Sequence, residues 1–115
     1  FNKKKGMCMQ KPFVVPLGDG QRYQRLVQGV PDSSGIKSGF VTLQPEESVG
    51  EHVTESKEEV IILLGGTARI SFGQGDSMLA EAPAVVYMPP ETKHNVTNTG
   101  SALLRYVFVT SPVKI

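Results

Sequence analysis

A chain of 115 residues has the length of one domain and is too short for two; folding at that size hides roughly two thirds of the unfolded surface, enough for one core. Twelve Lys and Arg stand against eleven Asp and Glu, with 39% hydrophobic and 20% charged residues, a balance that points away from disorder, nucleic acid and acidic membranes. The single cysteine, Cys8, excludes an intrachain disulfide framework, and no apolar stretch approaches the ~20 residues needed to span a bilayer.

From the first residue onward, Lys3-Lys4-Lys5 reads as part of a solvated tail or N-terminal extension over residues 1–12. No secretory signal is visible, so the cytoplasm is the expected compartment. Short apolar or alternating runs then follow one another, each closed by turn residues. The predicted strands are Phe13 to Val15, Tyr23 to Val30, Gly39 to Leu43, Glu59 to Leu64 and Thr67 to Phe72. Ser77 to Ala80, Val85 to Met88, His94 to Thr97 and Leu103 to Val109 complete the series. Helical periodicity is almost absent, and no repeat of ~20–50 residues is visible. This spacing of strands and turns predicts an all-β sandwich or barrel.

Val60-Ile61-Ile62-Leu63-Leu64 is apolar at every position, so both of its faces are expected to be covered. One face points into the barrel, and the other packs on a second layer or a second subunit. Leu103 to Val109 is similar, interrupted only by Arg105. Together they predict a homodimer. Gly73-Gln74-Gly75-Asp76 reads as a hairpin connection. It is no phosphate loop, since neither Lys-Ser nor Lys-Thr follows it.

The chain has two histidines, His52 and His94, each beside a turn at a strand end. That is where a small barrel opens and where side chains converge on a ligand. Glu59 heads the apolar strand, preceded by Glu58. Neighbours on a strand point to opposite faces, so only one of these carboxylates can face inward. An inward carboxylate is costly unless it is paired or bound to a metal. Two imidazoles and one carboxylate form a ligand set that suits Fe(II), and also Mn, Ni or Zn. Cys8 has no basic neighbour and reads as a free thiol.

The motif His52-Val53-Thr54, Glu59 four residues on and Gly66 after six more is followed by a second, Pro89, His94 and Asn98. In these residues the chain resembles the cupin superfamily, in particular its small single-domain conserved barrels, over about residues 38 to 110. The resemblance implies one domain folded as a double-stranded β-helix, or jelly-roll, barrel. It also implies a metal site of three histidines and one glutamate. Carried over residue by residue, His52, Glu59 and His94 match, and Thr54 occupies the position of the fourth ligand. Glu46, Pro83 and Glu91 stand where the family has glycines. Ordinary backbone angles or tolerated strain are therefore expected at Glu46 and Glu91.

The expected function is binding of a divalent transition metal and a small polar ligand, with a metal-dependent dioxygenase or isomerase reaction. The alternative is a non-catalytic binding or sensing barrel with a weakened metal site, marked by Thr54 bonded to Glu59. No further catalytic residue is assigned. Some of Phe40, Phe72, Tyr87, Tyr106 and Phe108 are expected to wall the pocket, and Gln44 and Arg105 would meet a ligand only if they face inward. Most basic residues, Arg22 and Arg25 among them, lie outside the motifs, which lowers the expectation of a sugar phosphate.

Overall fold

The computed structural model describes residues 10–114; Lys3-Lys4-Lys5 and Cys8 lie outside them. The chain is all-β, with nine strands among the described residues. In order these are β1 (Tyr23–Val27), β2 (Lys37–Leu43), β3 (His52–Val53), β4 (Lys57–Gly65) and β5 (Thr67–Phe72). They continue as β6 (Asp76–Glu81), β7 (Ala84–Met88), β8 (Lys93–Asn98) and β9 (Leu104–Pro112). No helix among the described residues is long and apolar enough to cross a membrane.

Two sheets form, one ordered β1-β2-β9-β4-β7 and the other β3-β8-β5-β6, with every pairing antiparallel. Alternation along each strand fills the space between them. On β4, Glu59, Ile61 and Leu63 are buried; on β8, His94, Val96 and Asn98 are buried. Val41, Leu43, Ile70, Val86, Met88, Leu104 and Tyr106 complete most of the core. Each fully buried aliphatic side chain among them contributes about 1.5–3 kcal/mol.

Phe13 to Val15 is not a strand. Phe13 and Val14 are exposed, and the chain beyond them is held by side chains instead. Gln24 accepts from the Gly18 N–H and donates to the Pro16 carbonyl, while Asp19 pairs with Arg105. Conversely, His52–Val53 pairs with β8, although two residues are too few to show alternation in the sequence.

The turn between β4 and β5 depends on Gly66. Its φ is +92°, and a Cβ there would meet the Leu103 carbonyl oxygen at 2.6 Å. Asn98 closes the same end of the barrel. Its fully buried amide donates to the carbonyls of Leu43 and Ala102 and accepts from the Gly100 N–H, each at 2.9 Å. At Glu46 and Glu91 the left-handed backbone persists without glycine, with φ of +74° and +55°. Tolerated strain is thus the outcome, and hydrogen bonds hold both residues: Glu46 N–H to Asn98 O, Glu91 N–H to Glu55 O.

The outer face of the five-stranded sheet is unevenly covered. Phe40 is buried there beneath the guanidinium of Arg105, 5.0 Å from the ring centroid. Across β4 and β7, by contrast, Val60 and Ile62 are half-buried, Val85 is 68% exposed and Tyr87 52% exposed. The expectation of two covered faces on Val60 to Leu64 is therefore not met within this chain, where only the inner face is sealed.

Candidate metal centre

The β3–β8 pairing sets His52 directly opposite His94, with ring centroids 4.2 Å apart and planes tilted by 60°. Each imidazole Nδ1 lies 3.1 Å from the carbonyl oxygen two residues earlier, Gly50 for His52 and Thr92 for His94. A carbonyl only accepts, so both Nδ1 atoms carry the proton and both Nε2 atoms are presented as ligand atoms. Glu59 approaches from the facing sheet, its Oε1 2.9 Å from His94 Nε2. Glu58, on the opposite face of β4, accepts from the Tyr87 hydroxyl at 2.8 Å. Strand alternation thus assigns one carboxylate to each face.

One ligand atom from each of His52, Glu59 and His94 lies within 4.8 Å of the others, a group that could hold a metal ion. His94 is 1% and Glu59 6% exposed, whereas His52 stands at the mouth. Burial opposes the charged imidazole of His94. The hydrogen bond to Glu59, the Thr92 carbonyl and the charge of Glu59 outweigh it and raise the pKa above the ordinary histidine value. In the metal-free protein one proton therefore joins His94 and Glu59. The same lone pair and carboxylate suit a divalent cation, so the residues present fit the group that the resemblance implies.

Thr54 takes no part in this cluster. Its hydroxyl donates to the Pro89 carbonyl at 2.7 Å and accepts from the Thr92 N–H at 2.9 Å. Its own N–H donates to the Thr92 carbonyl, the same oxygen that orients His94. The side chain at the fourth ligand position thus ties the loop before β8 to the turn before β4. The Thr54–Glu59 bond is not formed in this geometry.

Beside the cluster lies a cavity of about 340 Å³, lined by His52, Thr54 and Glu59, within the range of small-molecule sites. Val41, Val49, Val53 and Val96 supply apolar wall, and Tyr23, Tyr106 and Phe108 aromatic wall; Lys57 and Thr110 add polar groups. Burial, reinforced by the charge of Glu59, raises the Tyr106 pKa. Its phenol stays neutral and makes no side-chain hydrogen bond among the described residues. Tyr106 thus lines the cavity with no side-chain hydrogen-bond partner among the described residues.

Of the other residues considered in the sequence, Gln44 is exposed on a turn and Arg105 lies on the outer face; neither lines this cavity. Phe40 and Tyr87 also belong to the outer face. Phe72 is half-buried against the core rather than in the cavity wall. The cavity is also lined by Tyr23, Lys57 and Thr110, none of which belongs to either sequence motif. The parity that places Glu59 inward also applies to Lys57, and that of Tyr106 and Phe108 to Thr110, so the signal was present for two of the three.

The comparisons agree with this architecture. The chain matches the Cupin domain family over residues 39–110 and belongs to that family. No curated protein matches it in sequence. Among solved structures it is similar to a cupin 2 conserved barrel domain protein from Salinispora arenicola, at 24% identity and TM-score 0.73, covering 89% of this chain and 90% of that one. A protein from Bacillus halodurans aligns at 19% identity and TM-score 0.75, with 91% and 84% covered. A predicted oxalate decarboxylase from Thermotoga maritima aligns at 18% identity and TM-score 0.65, with 87% and 100% covered. At these identities the likeness concerns the double-stranded β-helix fold.

Proposed function

We propose that this cupin binds one divalent transition metal, Fe, Mn, Ni or Zn, through His52, Glu59 and His94, and acts on a small polar molecule held beside it. The observation that carries the reading is the convergence of three ligand atoms with both imidazole Nδ1 atoms already engaged by backbone carbonyls. Two imidazoles and a carboxylate leave coordination positions for a ligand. Thr54 adds no fourth donor, because its hydroxyl is engaged with the loop. The bound metal would supply Lewis acidity toward a ligand oxygen or a place for dioxygen chemistry.

The protein's own groups define the rest of the site. Glu59 and His94 hold a proton between them until a cation displaces it. Tyr106 offers a neutral O–H donor to a ligand oxygen, and four valines and Phe108 give the cavity apolar wall. A fold relative described as a predicted oxalate decarboxylase makes small carboxylates the first class to try. The hydrogen bond expected of a metal-free binding barrel, Thr54 to Glu59, is not the one formed. The reading includes a second copy of the chain on the outer strip of Val60, Ile62, Val85 and Tyr87, supported by its exposed apolar surface.

Elemental analysis of protein purified without chelator tests the metal. About one transition metal per chain is expected, lost in His94→Ala; a metal content equal in wild type and variant sinks the proposal. Sedimentation at micromolar concentration tests the second copy, with a dimer expected.

A further inference from the structure

A second cavity adjoins the one at the metal cluster. About 430 Å³ in volume, it is lined by Tyr23, Arg25, Lys37, Ser38, Phe108 and Thr110, together with β1 and the turn after it. Three of these residues, Tyr23, Phe108 and Thr110, also line the metal cavity. They are a shared partition. Tyr23 and Phe108 stack with centroids 6.2 Å apart and planes at 19°. Gly39 makes that seat: a Cβ there would lie 2.6 Å from the Tyr23 ring and 2.7 Å from Phe108. Any larger residue on β2 would push the partition out of place.

The outer chamber has a one-sided charge. Arg25 and Lys37 line it, no acidic side chain does, and neither cation forms an ion pair among the described residues. Arg25 shares a face of β1 with Tyr23 and pairs with Gly39, while Lys37 pairs with Thr110. The two cations therefore flank the aromatic partition from adjoining strands. Ser38 and Thr110 add hydroxyls at the chamber wall. Two cations, hydroxyl donors and an aromatic ledge are the groups that recognise a carboxylate or phosphate.

We infer that the two cavities are one two-chambered ligand site, in which Arg25 and Lys37 hold an anionic group while the other end of the ligand reaches the His52–Glu59–His94 cluster. The inference rests on the metal reading for its inner end. Its substrate class is an elongated small molecule with oxygen donors at one end and a carboxylate or phosphate at the other. Basic residues that lie far from both sequence motifs thereby become part of the site, because β1 packs beside β2 and brings Arg25 to the chamber.

Amide spectra of metal-free protein at low salt, titrated separately with inorganic phosphate and with succinate, test the outer chamber. Saturable shifts are expected at Ser38, Gly39 and Thr110, and the tighter of the two anions identifies the headgroup. The double variant Arg25→Gln, Lys37→Gln should weaken that binding about fivefold, as removal of exposed charge-assisted contacts does. Zinc affinity, measured on the same two proteins, should stay unchanged. Absence of saturable shifts with both anions overturns the inference, as does equal anion affinity in wild type and double variant. Failure of the wild type to bind zinc, with anion binding retained, removes the metal reading alone.

Discussion

The two ends of the barrel use the same strands and the same inward positions for opposite purposes. At the closed end β4 presents Leu63, β8 Asn98 and β9 Leu104, all fully buried. Toward the mouth the same strands present Glu59, His94 and Thr110. At the closed end the buried Asn98 side chain makes three hydrogen bonds to backbone. At the mouth His94 and Glu59 satisfy each other, and the Tyr106 side chain lines the cavity beside them. Buried aliphatic packing is thus concentrated at one end, and the titratable groups where the core gives way to a cavity.

Breaking the closed end should produce the largest change. Leu63→Ala removes a fully buried side chain and is expected to lower the unfolding free energy by about 2–5 kcal/mol, read by urea denaturation. Metal affinity of the folded fraction should not follow it. If metal binding falls in step, the two ends are not separable.

Thr54 connects the ends of the comparison, because it is structural in contact and functional in position. Thr54→Val removes a donor and an acceptor from the loop before β8 and should weaken zinc binding about tenfold, the scale of outer-shell losses. Thr54→Ser should restore it. Calorimetric titration of both variants checks this, and equal affinity in Thr54→Val and wild type would show that the loop orients His94 without help.

The His94–Glu59 pair gives the mouth a pH dependence of its own. The folded pKa of His94 is raised above 6.5, through Glu59 and the Thr92 carbonyl against the opposing effect of burial. Its contribution to the metal-free protein is therefore full below the unfolded value and is lost as pH rises through the folded one. Metal loading should reverse the trend, since the ion requires the deprotonated imidazole. Thermal unfolding of both forms across pH 5 to 9 reads the sign; parallel profiles would contradict it. Closed-end variants should leave both profiles in shape.

The smallest effect is expected at the left-handed glutamates. Glu46→Gly and Glu91→Gly relieve an unfavourable φ but loosen the unfolded chain, so each should change stability by less than about 1 kcal/mol. A loss well beyond that would give the glutamate side chains a role that their backbone angles do not require.

Much of this was written locally in the chain. Eight of the nine strands lie on predicted runs, because alternation and turn residues are properties of neighbours. His52, Glu59 and His94 were legible from spacing around turns and from the cupin resemblance. The two-residue β3 was not, since it exists only through pairing with β8. Nor was the fate of Thr54, whose hydrogen bonds reach 35 and 38 residues along the chain.

By itself the sequence determined an all-β chain with one inward carboxylate and two histidines at strand ends. Those features follow from side-chain period and turn chemistry, which act over a few residues. Tertiary structure alone decided what Thr54 holds and which cations line the outer cavity. Arg25 on β1 and Lys37 on β2 flank one chamber, and Tyr23 and Phe108 divide it from the next, only because strands distant in sequence lie side by side. Register across a sheet sets such neighbours, and no short stretch of sequence records it.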